Sequence, residues 1–394
     1  MERSEAVITG VVLAGMCGVI AVLVLLGREI GPDVAASPVE PSAIEGTIPV
    51  LTDLDYFVLE AIEFVETTRG RSFVRNPVVL ALTEADFVAR VEDDFAAGFK
   101  DSPEDLEMLN AIYRSTGLIS PQESIDEVLQ AFGAAGILGF YDPETDELVV
   151  RQIDDLSLLT KSTIVHELAH AFDDQHFNLD RPEYDDRTDE VPWTFRATAE
   201  GSANWVEAAW EATLTEAQRG RLFNEESTFG DPGAFDAFEL SYLMLEFSVY
   251  ELGEAFVEDL IETGGVDALD AALTEPPFTS EQVEEWEAFS IGEIGRLIDP
   301  PPADGNVQFE GAGGQVLIRS LFRGNGIFLP FEWGGDQMTV WDDGGLSCFR
   351  WDIQSDTPAG LDTLRELFDQ WVATVGSGSV RLLDSATIRV DRCV

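Results

Sequence analysis

The five residues His166-Glu167-Leu168-Ala169-His170 decide the fold of this chain, because they lie at the centre of its clearest helical pattern. Apolar side chains recur around them every three or four residues, which predicts a helix over 155–174. Just before this stretch, two apolar runs flank a turn that contains Pro143. That arrangement predicts a β-hairpin over 137–150, followed directly by the helix.

His166 and His170 are four residues apart, so they point the same way from a helix. Two imidazoles so arranged can bind one zinc ion, with Glu167 beside the open coordination position. Zinc would lower the pKa of a water molecule, and Glu167 would take its proton and return it to a leaving amine. Histidine occurs at only three positions, 166, 170 and 176. That scarcity favours a metal site over two surface histidines on a core helix.

A catalytic zinc needs a third protein ligand, and two residues compete for the role. His176 lies ten residues after His166, the spacing of the metzincin pattern HExxHxxGxxH. Asp173, however, stands where that pattern has the glycine at which the chain turns sharply. The other candidate is Glu200, which lies in a predicted helix over 195–217.

The segment 199–204, AEGSAN, resembles the gluzincins, a group that includes thermolysin-like enzymes and puromycin-sensitive-type aminopeptidases. In that group a glutamate on a second helix is the third zinc ligand, which implies this role for Glu200 and makes it the preferred candidate. Gly201 would let the two zinc-binding helices approach closely. Asn204 stands where thermolysin-like enzymes have an aspartate that orients a zinc-bound histidine, and Glu207 shares its helical face.

Further downstream, the segment 250–253, YELG, resembles a gluzincin segment whose tyrosine hydroxyl stabilises the oxyanion, which implies that role for Tyr250. The resemblance touches most of residues 140–351, extends to gluzincin-like proteins of bacteria and archaea, and is most specific in HELAHAFDDQHF, 166–177. It implies a zincin-like metallopeptidase core without a particular substrate. The expected fold class is α+β, mainly helical, with a small C-terminal α+β unit.

The composition excludes nucleic acid as a partner and indicates a halophilic protein. There are 75 acidic and 23 basic residues, which gives a formal net charge of −52. Binding phosphates requires a Lys/Arg surface that this chain does not have. Lysine occurs only twice, and a dense carboxylate surface keeps a protein soluble in concentrated salt, where self-repulsion is screened. A given Asp or Glu is therefore solvated surface unless its position argues otherwise.

The uncharged residues 6–26 are long enough to cross a membrane as a helix. We predict a single-pass anchor at the cell membrane, with the catalytic domain extracellular. Flanking Arg3 and Arg28 barely distinguish the two orientations. Outside this segment the cysteines are Cys348 and Cys393, which fit one disulfide in an oxidising compartment, although two separate buried thiols are the alternative.

We divide the chain into an N-terminal tail (1–5), the membrane helix (6–26), a Pro-rich linker (27–49), an N-terminal helical region (50–136), the zincin-like core (137–300) and the C-terminal unit (301–394). Besides the helices already mentioned, the apolar pattern predicts a strand at 77–80 and helices over 121–132, 237–263, 281–297 and 360–375.

The sequence thus predicts a membrane-anchored zinc metallopeptidase that cleaves a peptide or protein substrate. His166, His170 and Glu200 would bind the metal, with Glu167 as the general base and Tyr250 as the oxyanion donor. The hairpin would present an edge strand along which an extended peptide could lie. The alternative is a non-catalytic surface protein in which zinc only holds helices together, and a closed fourth coordination position would favour it.

Overall fold

The structure, a computed structural model, describes residues 51–91, 103–143, 145–151, 156–184, 187–229 and 235–394. Within these ranges the fold is α+β and mainly helical, which confirms the predicted fold class at this level. The predicted membrane segment, 6–26, and the linker after it lie outside the described residues and stay predictions. Among the helices that are described, none is both long and apolar enough to cross a membrane.

The regular elements of the described residues are helices and the strands of two β-sheets. The helices are α1 (Asp53–Arg69), α2 (Pro103–Thr116), α3 (Ile125–Gly136), α4 (Leu158–Phe177), α5 (Val191–Glu211), α6 (Glu216–Thr228), α7 (Leu240–Gly264), α8 (Val266–Thr274), α9 (Ser280–Glu284), α10 (Trp286–Ile291), α11 (Gly314–Gly324) and α12 (Pro358–Val375). The strands are β1 (Val78–Leu82), β2 (Gly139–Asp142), β3 (Glu147–Arg151), β4 (Asn306–Gly311), β5 (Gly335–Asp342), β6 (Ser347–Gln354), β7 (Ser379–Leu382) and β8 (Thr387–Cys393).

The first sheet has the strand order β1-β3-β2 and lies against α4. Strands β2 and β3 form the predicted antiparallel hairpin, while β1 pairs with β3 in parallel. Gly139 of β2 packs so tightly on α4 that a Cβ there would come within 3.0 Å of the methyl group of Thr163. Strand β2 lies at one edge of this sheet, and Gly139 holds it closely against the helix that carries the histidines.

The second sheet is antiparallel, with the order β4-β5-β6-β8-β7. Cys348 of β6 lies opposite Cys393 of β8, and the two form a disulfide across 45 residues of chain. This confirms the predicted pairing over the alternative of separate thiols. The core of the second sheet continues into the N-terminal helical region, because Leu118 and Ile125 belong to the same buried cluster as Trp351 and Phe368. The predicted domain divisions remain predictions.

Two of the predicted helices are divided in the structure. Helix α5 ends at Glu211 instead of continuing to residue 217, and α6 begins after Thr215. Thr215 accepts from the Gln218 backbone N–H while Gln218 bonds back to Thr215, a capping box that starts a new helix. The helix predicted over 281–297 is instead two short helices, α9 and α10, and Gly292 ends the second in left-handed geometry.

Helices α5 and α7 pack backbone against backbone. A Cβ on Gly201 of α5 would overlap the carbonyl oxygen of Gly253 on α7, and a Cβ on Gly253 would overlap that of Ala197. Gly201 therefore allows the close approach of α5 to α7. The sequence predicts that Gly201 lets α4 and α5 approach each other. That expectation is corrected, because the atoms nearest to a Cβ on Gly201 belong to Gly253 and Val257 of α7.

Candidate metal centre

Helix α4 brings His166, Glu167 and His170 into the protein interior, where each is fully buried. The helix starts at Leu158, where the Ser157 hydroxyl accepts a hydrogen bond from the Thr160 backbone N–H at 3.0 Å. It continues without a break to Phe177. Because both histidines are fully buried, they are not two surface residues on a core helix, which was one interpretation of the sequence.

The structure brings Glu200 of α5 to the two histidines. The Nε2 atoms of His166 and His170 are 3.1 Å apart, and Oε2 of Glu200 lies 3.4 Å from the first and 3.3 Å from the second. Ligand atoms bound at about 2.0–2.1 Å in a tetrahedral site are about 3.3 Å from one another. The three donor atoms therefore fit a single tetrahedral metal ion.

The charges around this triangle favour a cation. Burial lowers the pKa of His166, but hydrogen bonds to Glu200 and Glu207 outweigh burial and raise the pKa well above its usual value. Burial raises the pKa of Glu200, but the two histidines outweigh that effect and lower it to about 2. A carboxylate that stays ionised in the interior needs a positive partner, which a bound metal ion provides.

Glu207 holds the His166 ring in position. Its Oε2 atom is 3.0 Å from Nδ1 of His166, so Nδ1 donates to the carboxylate and Nε2 faces Glu200. The sequence suggested Asn204 for this role. That suggestion is corrected, because Asn204 makes no hydrogen bond to His166 or His170 and its Oδ1 is buried without a partner among the described residues.

His176 does not join the cluster. Because α4 runs straight through Asp173, His176 is rotated by about 80° from His166 and about 120° from His170 around the helix axis. Its Nε2 lies instead 3.1 Å from the carbonyl oxygen of Ser72, in an exposed contact. Within the described ranges, the group of residues that could hold a metal has three members, His166, His170 and Glu200.

Glu167 adjoins the triangle with both of its carboxyl oxygens buried and without a hydrogen-bond partner among the described residues. Burial raises its pKa, while the neighbouring His166 and His170 lower it and Glu200 raises it further. The main chain of Tyr141, on edge strand β2, also lies close enough to lower this pKa. A carboxyl group whose pKa is raised in this way holds a proton more readily than an exposed glutamate does.

Tyr250 of α7 is buried near the carboxyl groups of Glu200 and Glu167. Burial raises its pKa well above the usual value and the charge of Glu200 adds to this, whereas Arg196 acts in the opposite direction and Glu167 raises it again. The phenol therefore keeps its proton and can donate a hydrogen bond. Its role in stabilising an oxyanion stays a prediction.

A buried ionic network lies behind the site. Arg69 of α1 contacts Asp173 of α4 and donates to the hydroxyl of Ser202 on α5 at 2.7 Å and to Asp270 of α8 at 2.8 Å. The Ser202 hydroxyl in turn donates to Asp173 at 2.6 Å. Burial raises the pKa of Asp173, and Arg69, the next largest cause, lowers it. Sequence reasoning assigned no role to Arg69, because α1 carries no motif.

No family model matches the chain, and neither a curated protein nor a solved structure matches it. The geometry of the site therefore carries the functional argument.

Proposed function

We propose that this chain is a zinc-dependent peptidase of the gluzincin type, with His166, His170 and Glu200 as metal ligands. The observation that carries the proposal is the triangle of donor atoms, 3.1–3.4 Å on a side, with the unpartnered carboxyl of Glu167 beside it. Two nitrogens and one carboxylate oxygen suit zinc and also suit iron. Glu167 favours hydrolysis, since a buried carboxyl next to the metal is the base that a hydrolytic zinc site requires.

Glu167 carries out both proton transfers in the proposed reaction. A zinc ion held by His166, His170 and Glu200 would act as a Lewis acid and would lower the pKa of a water molecule. Glu167 accepts a proton as the water attacks the peptide carbonyl, and returns it to the leaving amine. The raised pKa of Glu167 suits both transfers, because the group holds a proton more readily than an exposed glutamate.

Tyr250 and strand β2 supply the remaining parts of the proposal. The protonated phenol of Tyr250 donates to the oxygen that becomes negative during attack. Among the described residues strand β2 pairs with β3 alone, and an extended peptide would add along its other edge. Because Tyr141 of this strand lies near Glu167, a peptide added along β2 would pass the base.

The rival function is a metal-stabilised protein without catalysis. The three-membered ligand group supports the enzyme, because a structural zinc site normally has four protein ligands. The test is Glu167→Gln, which keeps the size and shape of the side chain but cannot act as a base. We expect unchanged zinc content and peptide hydrolysis lower by at least about a hundredfold.

The matched control is Glu262→Gln, which removes an exposed carboxylate from α7 and should leave turnover unchanged. Unchanged turnover in Glu167→Gln would remove Glu167 from the mechanism. If zinc-loaded wild-type protein hydrolyses nothing in broad peptide libraries, the structural rival is correct.

A further inference from the structure

Arg196 is a cation placed next to the proposed catalytic residues. It precedes Glu200 by four residues on α5, so the two side chains share a helical face about 6 Å apart along the axis. Glu246 stands in the same relation to Tyr250 on α7. Nη1 of Arg196 lies 3.3 Å from Oε2 of Glu246, which joins these two helical turns beside the metal site.

The guanidinium of Arg196 is only partly used by the protein. It has five N–H donors, and the contact with Glu246 occupies one of its nitrogens. Its Nε is buried and has no hydrogen-bond partner among the described residues. The side chain as a whole is 22% exposed, so part of it reaches the surface while Nε lies inside. The edge that contains Nε is thus left with a donor that no described residue uses.

The chemistry of that edge selects a carboxylate. The fork of a guanidinium matches a carboxylate with two parallel hydrogen bonds, which are stronger than bonds to a neutral carbonyl because both partners are charged. The surroundings are otherwise acidic, with Glu167, Glu200 and Glu246 close by, and the whole chain carries a formal net charge of −52. An anionic group on a substrate would find its favourable partner at Arg196.

We propose that Arg196 forms a subsite for a peptide carboxylate that lies within about two residues of the cleaved bond. This inference rests on the proposed peptidase function. The distance between this carboxylate and the cleaved bond follows from helix geometry. Arg196 and Glu200 are about 6 Å apart along α5, which corresponds to about two residues of extended peptide. The carboxylate is either the C-terminus of the substrate or the side chain of an Asp or Glu.

The test is a binding comparison on full-length, zinc-loaded Glu167→Gln protein in high salt. The probes are N-acetylated pentaalanine as the free acid, the same peptide as the C-terminal amide, and amides with one Glu at successive positions. We expect at least one carboxylate peptide to bind about tenfold or more tightly than the plain amide, as for a hydrogen bond to a charged group. Tighter binding of the free acid identifies a C-terminal carboxylate, and tighter binding of a Glu-containing amide identifies a side chain.

Added to the same protein, Arg196→Gln should abolish this preference and leave zinc content and binding of the plain amide unchanged. Glu246→Gln should strengthen the preference, because it removes the carboxylate that competes for Arg196. Arg221→Gln, at an exposed arginine of α6, is the matched control and should change nothing.

Equal binding of acids and amide by the parent protein, or a preference that survives Arg196→Gln, would overturn the subsite. If Arg196→Gln does not fold, two results still test the subsite: the binding of acid and amide peptides by the parent Glu167→Gln protein, and the effect of Glu246→Gln on that preference. Hydrolysis of the amide by wild-type protein without acid preference would refute the subsite alone. A carboxylate preference in a zinc-loaded protein that cleaves no peptide would refute the peptidase function alone.

Discussion

Nδ1 of His166 lies 3.0 Å from Oε2 of Glu207, and this contact determines which nitrogen of the ring faces Glu200. Glu207 follows Glu200 by seven residues, almost two helical turns, so one face of α5 supplies both a metal ligand and the group that orients another ligand. Because the carboxylate accepts from Nδ1, the lone pair of Nε2 is left for the metal.

We predict that Glu207→Ala weakens zinc binding by about ten- to a hundredfold, the usual effect of losing a group that orients a ligand. Glu207→Gln, which keeps an acceptor oxygen, should lose less. Titration of each variant against a competing chelator measures both effects, with the exposed Glu262→Ala as the control. An unchanged affinity in Glu207→Ala would show that His166 needs no such partner.

Arg69 should contribute strongly to stability, because its removal leaves the buried carboxyl group of Asp173 without its positive partner. We predict that Arg69→Met lowers the free energy of unfolding by about 3–5 kcal/mol, as measured by urea denaturation. The double variant with Asp173→Asn should recover part of this loss, since it removes both charges. Arg71 is the matched control, because it contacts the same Asp270 but is 42% exposed, and Arg71→Met should cost less than about 1 kcal/mol. Equal losses in the two single variants would contradict this account.

Glu190 should make stability depend on pH. Its carboxyl is buried at the start of α5, where it accepts from the Ser280 backbone N–H at 2.8 Å. Burial, followed by the charge of Asp336, raises its pKa to about 8. An unfolded glutamate titrates near about 4.3, so between these values the folded chain holds a proton that the unfolded chain has released. Glu190 therefore contributes stability that is complete at low pH and is lost as the pH rises through about 8.

Glu190→Gln keeps a neutral side chain of the same shape at every pH. We predict that it has nearly wild-type stability at about pH 4 and becomes more stable relative to wild type as the pH rises, by up to about 1.4 kcal/mol per pH unit. Denaturation between pH 4 and 8 in constant high salt measures this difference. Parallel pH profiles for the two proteins would show that Glu190 is ionised in the folded chain.

The histidine-bearing helix and its hairpin could be predicted because their signals are local. Apolar spacing marks α4, and a turn between two apolar runs marks β2 and β3. Residues four apart lie on the same face of any helix, so the position of His166 beside His170 could be predicted from their spacing alone. The break between α5 and α6 also had a local signal, since Thr215 and Gln218 fit the pattern of a capping box.

The remaining parts of the site depend on how the helices pack. Whether Asn204 or Glu207 reaches His166 depends on the angle at which α4 crosses α5, and the sequence pattern does not give that angle. Arg69 is 104 residues from Asp173 and 133 from Ser202, and no local pattern pairs residues so distant. Gly201 was recognised as a site of close approach, but its partner, Gly253, lies on a helix other than the expected one.

The most direct test of the metal centre is zinc titration of Glu200→Ala and His176→Ala against a competing chelator, in high salt to keep the acidic surface screened. Glu200 supplies one corner of the donor triangle, whereas His176 bonds to the carbonyl oxygen of Ser72 outside it. We predict that Glu200→Ala loses zinc affinity by more than about a hundredfold, and that His176→Ala changes it by less than about tenfold. A zinc site that His176→Ala empties and Glu200→Ala leaves loaded would contradict the account.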